Sequence, residues 1–245
     1  MIRAIIFDLG HTIWDILPDD GGLARAYATA RATLAERLGR ADLPSAEALQ
    51  RAVADVLRES APMYFMEAPS LEQPPSDAWV DQGFRRLGLE LDAELVRAIT
   101  PPLFATEIDR LHCADGTIEA VRNLHDAGYT LGCVTNTLAD TATIRAMLRR
   151  DGIEDVMRSV VVSADEGWRK PHRSLFEKAL RETCAAAHEA VFIGDSPWHD
   201  VGGAQAVGMR TVLTRQYVTR PTEGMPEPDA VISHLRELRE FVERW

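Results

Sequence analysis

Two apolar runs far apart in the chain each stop at an aspartate: IRAIIFD at residues 2–8 and AVFIGD at residues 190–195. Short runs without polar alternation are strands of the buried type, the habit of a parallel sheet covered by helices on both faces. In an open parallel sheet the carboxyl ends of the strands converge on one crevice, and ligands bind there. Asp8, Asp195 and, a few residues on, Asp200 would share that crevice. Carboxylates gathered in a crevice repel one another unless a cation neutralises them, and hard oxygen donors suit Mg²⁺. Aspartate is also a favoured helix cap, so either segment alone reads equally as a strand followed by a capped helix.

The rest of the chain supports the sheet. Strands are expected at residues 2–8, 129–135, 159–163, 190–194 and 210–214, with helical patterns near 117–127, 139–150, 172–184, 198–207 and 234–244. Such alternation implies a parallel α/β sheet. The stretch from about 16 to 106 breaks the rule. It holds no convincing strand, only amphipathic runs such as LARAYATARATLAERL (23–38) and SAEALQRAVADVLRES (45–60). Ser45, with Glu47 in the first turn, is a suitable helix start. Pro62, Pro69, Pro74, Pro75, Pro101 and Pro102 punctuate this block, and 219–230 reads as a loop before the closing helix.

Composition narrows the partners. A formal net charge of −11 argues against general nucleic-acid binding. No apolar run reaches membrane-spanning length and no signal peptide is visible, so a cytoplasmic protein is expected. Cys113, Cys133 and Cys184 have no metal-ligand spacing and read as reduced thiols.

Lysine usage gives a second clue. Of 27 Lys plus Arg residues only Lys170 and Lys178 are lysine, and Lys170 stands just before Pro171 at the mouth of a helix. An ammonium is a compact point charge where guanidinium is a broad fork, which matters in a tight anion site. At the end of LGCVTNT, Thr135 and Asn136 offer a hydroxyl, an amide and backbone N–H groups to phosphate oxygens, although both types are also common turn formers.

Taken in order, these motifs resemble the haloacid dehalogenase superfamily. Asp8 with Thr12 matches its first motif, Thr135 with Asn136 the second, Lys170 before Pro171 the third, and Gly194, Asp195, Ser196 and Asp200 the fourth, G-D-S-x-x-x-D. The resemblance implies a doubly wound, Rossmann-like α/β core at residues 1–15 and 107–245, with an inserted α-helical cap at 16–106. It implies hinges near Asp15–Leu17 and Thr106–Leu111. It also implies a phosphatase acting on a small phosphorylated metabolite. Asp8 would be the nucleophile that forms an aspartyl-phosphate, with Lys170 offsetting charge and Thr135 and Asn136 clamping the phosphoryl oxygens. Mg²⁺ would be held by Asp8, the backbone carbonyl of Gly10 and Asp195, and Asp200 would bind through water or orient Asp195.

One position departs from the pattern. Most phosphatases of the superfamily carry a second aspartate two residues after the nucleophile, to protonate the leaving group and activate water; here it is Gly10. Loss of a general acid typically costs about 10²–10⁴-fold for a poor leaving group. His11, with an unperturbed pKa of ~6.5, is a substitute in principle. Successive side chains of an extended segment point in opposite directions, however.

The same departure leaves two competing readings: a relative that binds a phosphorylated ligand or protein without turnover, and a haloacid dehalogenase. Dehalogenases need no metal, so the acidic fourth motif counts against the second. A Schiff-base phosphonate hydrolase is excluded because residues 16–106 contain no lysine. Trp14, Trp168 and Trp198 flank the motifs and are expected to seal the junction of core and cap. The run 63–67 packs helices or lines the pocket, and His172 and His199 are given supporting roles. Substrate identity and oligomeric state are not legible.

Overall fold

The computed structural model describes residues 1–18, 21–60, 71–105 and 110–245. Its strands are β1 (Ala4–Phe7), β2 (Asp15–Ile16), β3 (Leu111–His112), β4 (Thr130–Thr135), β5 (Met157–Val162), β6 (Ala190–Gly194), β7 (Arg210–Thr214) and β8 (Ala230–Ile232). Six form one sheet in the order β5-β4-β1-β6-β7-β8, every pairing parallel. From β1 the chain steps outward through β4 to β5, then returns to β6 on the other side. The switch point therefore lies between β1 and β6, where ligands of doubly wound sheets bind.

All four residues of β1 are fully buried, as expected of a central strand covered on both faces. Its side chains alternate between two apolar layers. Ile5 and Phe7 pack with Val121, Leu124, Ile144 and Leu148; these come from helices α5 (Thr117–Asp126) and α6 (Thr141–Arg150). Ala4 and Ile6 pack with Leu175, Phe176 and Ala179 of α7 (Arg173–Glu182) on the opposite face.

A third apolar cluster belongs to the insertion. Helices α1 (Gly22–Leu38), α2 (Ala46–Ser60), α3 (Ser76–Arg85) and α4 (Ala93–Phe104) bury Tyr27, Leu34, Val53, Phe84 and Leu103 together. Ser45 caps α2 as expected, its hydroxyl accepting the Ala48 N–H at 3.2 Å. The run 63–67, Pro62, Pro69 and residues 106–109 of the second expected hinge lie outside the described residues. Among the described residues no helix is long and apolar enough to cross a membrane.

The structure corrects several sequence expectations. The strand expected at 159–163 begins earlier, at Met157. β8 begins at Ala230, the last residue of the segment read as a loop; it is a three-residue edge strand with Val231 exposed, too short to show a pattern. The antiparallel pair β2–β3 has two residues per strand and was invisible for the same reason. The helix expected at 198–207 opens as a π-helical turn, Pro197–Gly202. The closing helix is a 3₁₀ turn, Leu235–Glu237, followed by Leu238–Val242. Pro101 and Pro102 sit inside the last turn of α4 rather than before it.

Candidate active site

The Asp8 amide donates to Ile193 O at 2.8 Å, which carries the β1–β6 ladder one residue past the strand. The chain then curls. The amides of Thr12, Ile13 and Trp14 all converge on Leu9 O at 3.2, 2.9 and 2.9 Å. The left-handed backbone position in this curl is taken by His11, with φ of 55°. Gly10 beside it is not left-handed, and a Cβ placed there would meet only Ile16 Cδ1, at 3.9 Å.

Asp195 follows β6 directly, and the π-helical turn folds Asp200 back beneath it. The Ser196 amide donates to Asp200 Oδ2 at 2.9 Å. Gly194 permits the approach, since a Cβ there would lie 2.2 Å from that same oxygen. One carboxylate oxygen each from Asp8, Asp195 and Asp200 falls within 4.8 Å of the others, and all three residues are buried.

Lys170 enters this cluster from the β5–α7 connection. Its Nζ donates to Asp8 Oδ1 and to Asp200 Oδ1, both at 2.6 Å, from a side chain as buried as theirs. Burial pushes the Asp8 carboxyl up to about 7; Asp200 and Asp195 add to the rise and Lys170 opposes it. Burial also raises Asp195, reinforced by Asp200 and countered by Arg220. For Lys170, burial works against the ammonium, but Asp200 and Asp8 outweigh it and hold the group above the ordinary lysine range. Three carboxylates against one ammonium leave an excess of two negative charges in a dry site. Hard oxygen donors with that excess fit a divalent cation such as Mg²⁺.

The structure puts Thr135, buried at the end of β4, and Asn136 on the same edge of the sheet. The Asn136 amide grips the Lys170 backbone at two points: Oδ1 accepts its N–H at 2.8 Å and Nδ2 donates to its carbonyl at 3.3 Å. One N–H of the amide remains for a ligand. Thr12 Oγ1 donates to Asp8 Oδ2 at 3.3 Å. His11 Nδ1 lies 3.2 Å from Asp15 Oδ1, on a half-buried side chain. His199 is tied to Ser196 Oγ at 3.0 Å, and burial pushes it down to about 4.

The tryptophans divide. Trp14 packs in the core cluster rather than with the helices of residues 22–104: it is 2% exposed and donates from Nε1 to Asp151 at 2.7 Å. Trp168 stacks on His172 at 4.0 Å between ring centroids. Trp198 is 44% exposed. The insertion reaches the loop after β4, where Gln73 Nε2 donates to Thr137 O at 2.7 Å and Ser76 Oγ to Leu138 O at 2.5 Å. Sequence reasoning missed Arg220, whose Nε lies 2.5 Å from Asp195 Oδ2. It comes from an irregular segment without a motif, and no spacing rule would have found it.

Comparison with known proteins places these observations in a wider set. A family model for haloacid dehalogenase-like hydrolases matches residues 2–208. A glyceraldehyde 3-phosphate phosphatase of Methanopyrus kandleri is 29% identical over 248 residues, covering 99% of this chain and 97% of the relative. Among solved structures, a 2-haloacid dehalogenase from Pseudomonas syringae is 26% identical with a TM-score of 0.68, covering 100% of both chains. A HAD phosphatase from Thermococcus onnurineus is 25% identical with a TM-score of 0.60, covering 98% of both.

Proposed function

The chain belongs to the haloacid dehalogenase-like hydrolases, and from that premise we propose that it is a Mg²⁺-dependent phosphatase of a small phosphorylated metabolite. One observation carries this reading: Asp8, Asp195 and Asp200 meet in one buried cluster with Lys170 bridging two of them. Carbon–halogen hydrolysis has no use for that much clustered negative charge, whereas phosphoryl transfer with a cation does. The named activity of the Methanopyrus kandleri relative points the same way.

Asp8, the Gly10 carbonyl and Asp195 would hold Mg²⁺, with Asp200 behind, and the bound ion supplies positive charge against the phosphoryl oxygens. The remaining work falls to the chain. Asp8 attacks phosphorus in line with the leaving oxygen, and the resulting aspartyl-phosphate is hydrolysed by water. A carboxyl raised to about 7 must lose its proton to serve as nucleophile. The Lys170 ammonium, 2.6 Å away, favours the ionised form. Lys170 also meets the phosphoryl charge as it develops. Asn136 orients Lys170 through its backbone and keeps one N–H for phosphate, beside the Thr135 hydroxyl. Residues 16–106 act as a cap over this edge, moving about the segments that join them to the core and shutting out water during chemistry. The contacts of Gln73 and Ser76 with the loop after β4 support that placement.

With Gly10 in the place of the acid, the enzyme favours substrates whose leaving group needs little protonation, and turnover of alkyl monoesters is slow. The test is phosphate release from p-nitrophenyl phosphate and a panel of phosphorylated metabolites, glyceraldehyde 3-phosphate among them, with and without Mg²⁺. Release that depends on Mg²⁺ supports the proposal. Inactivity throughout, with tight binding of one phosphorylated compound or a protein, would point to a binding protein. A second reading, 2-haloacid dehalogenase, draws on the Pseudomonas syringae structure and on the missing acid at Gly10. Halide release from 2-haloacids without metal would establish it.

A further inference from the structure

Among the described residues Arg220 makes the one side-chain hydrogen bond to Asp195 from outside the family motifs, and a well-anchored segment delivers it. The segment between β7 and β8 crosses the sheet edge as a strap. Gln216 Nε2 donates to Thr117 Oγ1 at 2.9 Å and to Thr12 O at 3.4 Å, while Gln216 Oε1 accepts the Leu235 amide at 2.9 Å. Tyr217 Oη donates to Ile13 O at 3.0 Å and accepts the Ala114 amide at 2.7 Å. Five hydrogen bonds thus fix two consecutive residues just ahead of Arg220. The guanidinium then reaches Asp195 Oδ2, with its own side chain 44% exposed and the carboxylate 6% exposed. One partner is anchored in the dry cluster; the other can leave into solvent at small cost.

The charge count gives this contact a purpose. Asp8, Asp195 and Asp200 carry three negative charges and Lys170 returns one, which leaves the two that a divalent cation would cancel. Arg220 removes half of that excess and occupies an oxygen of Asp195, a residue assigned above to the metal. Whichever Asp195 oxygen the ion takes, a guanidinium on the same carboxylate repels a hard cation at short range.

We propose that Arg220 is an internal competitor for the metal: it neutralises Asp195 until Mg²⁺ arrives, opposes the ion's binding from its half-exposed position, and so sets the metal affinity of the site. This inference rests on the metal-dependent reading of the cluster. It predicts that removing the guanidinium tightens metal binding, the reverse of what loss of a supporting residue would do. A contact between a half-exposed cation and a buried carboxylate is worth about a factor of ten in such a competition.

Isothermal titration of the full chain with Mg²⁺ alone, without substrate, tests it. Arg220→Gln should bind Mg²⁺ about tenfold tighter than wild type, and Arg220→Lys, which keeps a charge but not the fork, should fall between the two. Raising NaCl should weaken wild-type binding less than that of Arg220→Gln, because salt also screens the competing ion pair. Equal affinity in wild type and Arg220→Gln would overturn the proposal. So would weaker binding by Arg220→Gln, which would make Arg220 a helper of the metal. Should neither protein bind Mg²⁺ at millimolar concentration, the metal reading falls and takes this inference with it. Circular dichroism of each variant guards against loss of fold, which is not expected for a side chain so exposed.

Discussion

The loop after β6 and the loop after β1 bring carboxylates to the same crevice under different local conditions. After β6 each acidic group has a partner. Asp200 accepts from Lys170 and from the Ser196 amide, Asp195 meets Arg220, and Gly194 is a glycine because a carboxylate oxygen occupies the place of its Cβ. After β1 only Asp8, the proposed nucleophile, is so treated. Asp8 has Lys170 and Thr12, but two residues later there is no side chain at all, and the next residue is a histidine in a left-handed conformation. On the proposed reading the groups that handle charge are all present, and those that handle protons are reduced. Such a phosphatase would keep its nucleophile and cation chemistry, and lose rate where a leaving group needs a proton.

The largest test strikes the part both loops share. Asp8→Asn removes the proposed nucleophile, and turnover of any phosphate ester should fall at least about 10⁴-fold, because an amide forms no acyl-phosphate. The fold should survive, since an uncharged isostere suits a buried position whose carboxyl already resists ionisation. Residual activity within tenfold of wild type would show that Asp8 is not the nucleophile.

Next in size is a repair of the weaker loop. Gly10→Asp puts back the acid at a position with ordinary backbone and no neighbour nearer than 3.9 Å. Hydrolysis of alkyl phosphates should rise roughly 10²-fold, while aryl phosphates, whose leaving groups hardly need a proton, should gain less than about fivefold. Equal rates on both classes in a well-folded variant would mean that the two loops do not differ in the way described.

Asp8 also offers a test without substrate. Its carboxyl sits at about 7 in the folded protein against an ordinary value of 3.8. The folded state therefore holds a proton that the unfolded chain gives up, and this contribution to stability is lost as pH rises from 4 towards 7. Asp8→Asn is neutral throughout. Its melting temperature relative to wild type should climb across that window and level off above it. A constant difference would show that Asp8 is not raised.

How far the sequence anticipated these loops depends on the length over which each signal runs. β1 and β6 announce themselves because four or five consecutive buried residues leave a continuous apolar run, and the motif at the end of each spans only a few residues. That local reading placed Asp8, Asp195 and Asp200 on one edge, the resemblance added Lys170, and the structure gathers all four there. It could not see that the Asn136 side chain would spend itself partly on the Lys170 backbone, a contact across 34 residues. Nor could it see Arg220, which reaches Asp195 only because Gln216 and Tyr217 hold the strap against distant carbonyls and amides. Trp14 is expected to seal the junction of core and cap because it follows a motif; the curl of amides onto Leu9 O turns it into the core instead. Contacts of this kind are made by tertiary packing and leave no periodic trace.

The smallest expected effect separates strain from function in the weaker loop. His11 is a non-glycine residue at φ of 55°. A left-handed conformation costs an ordinary residue about 1–2 kcal/mol, though histidine tolerates it better than most. Against that stands its contact with Asp15, in which both side chains are about one-third exposed; pairs so open to solvent contribute at most about 1 kcal/mol. His11→Gly should therefore leave the protein as stable or slightly more so, by about 0.5 kcal/mol, a rise of about 1–2 °C in melting temperature at this chain length. Activity on aryl and alkyl phosphates should stay within about twofold of wild type, because a ring tied to Asp15 through Nδ1 is held by the loop rather than offered to the leaving group. A loss confined to alkyl phosphates would reverse that assignment. It would mean that the loop after β1 kept its proton donor after all, moved one residue along the chain and secured at the cost of backbone strain.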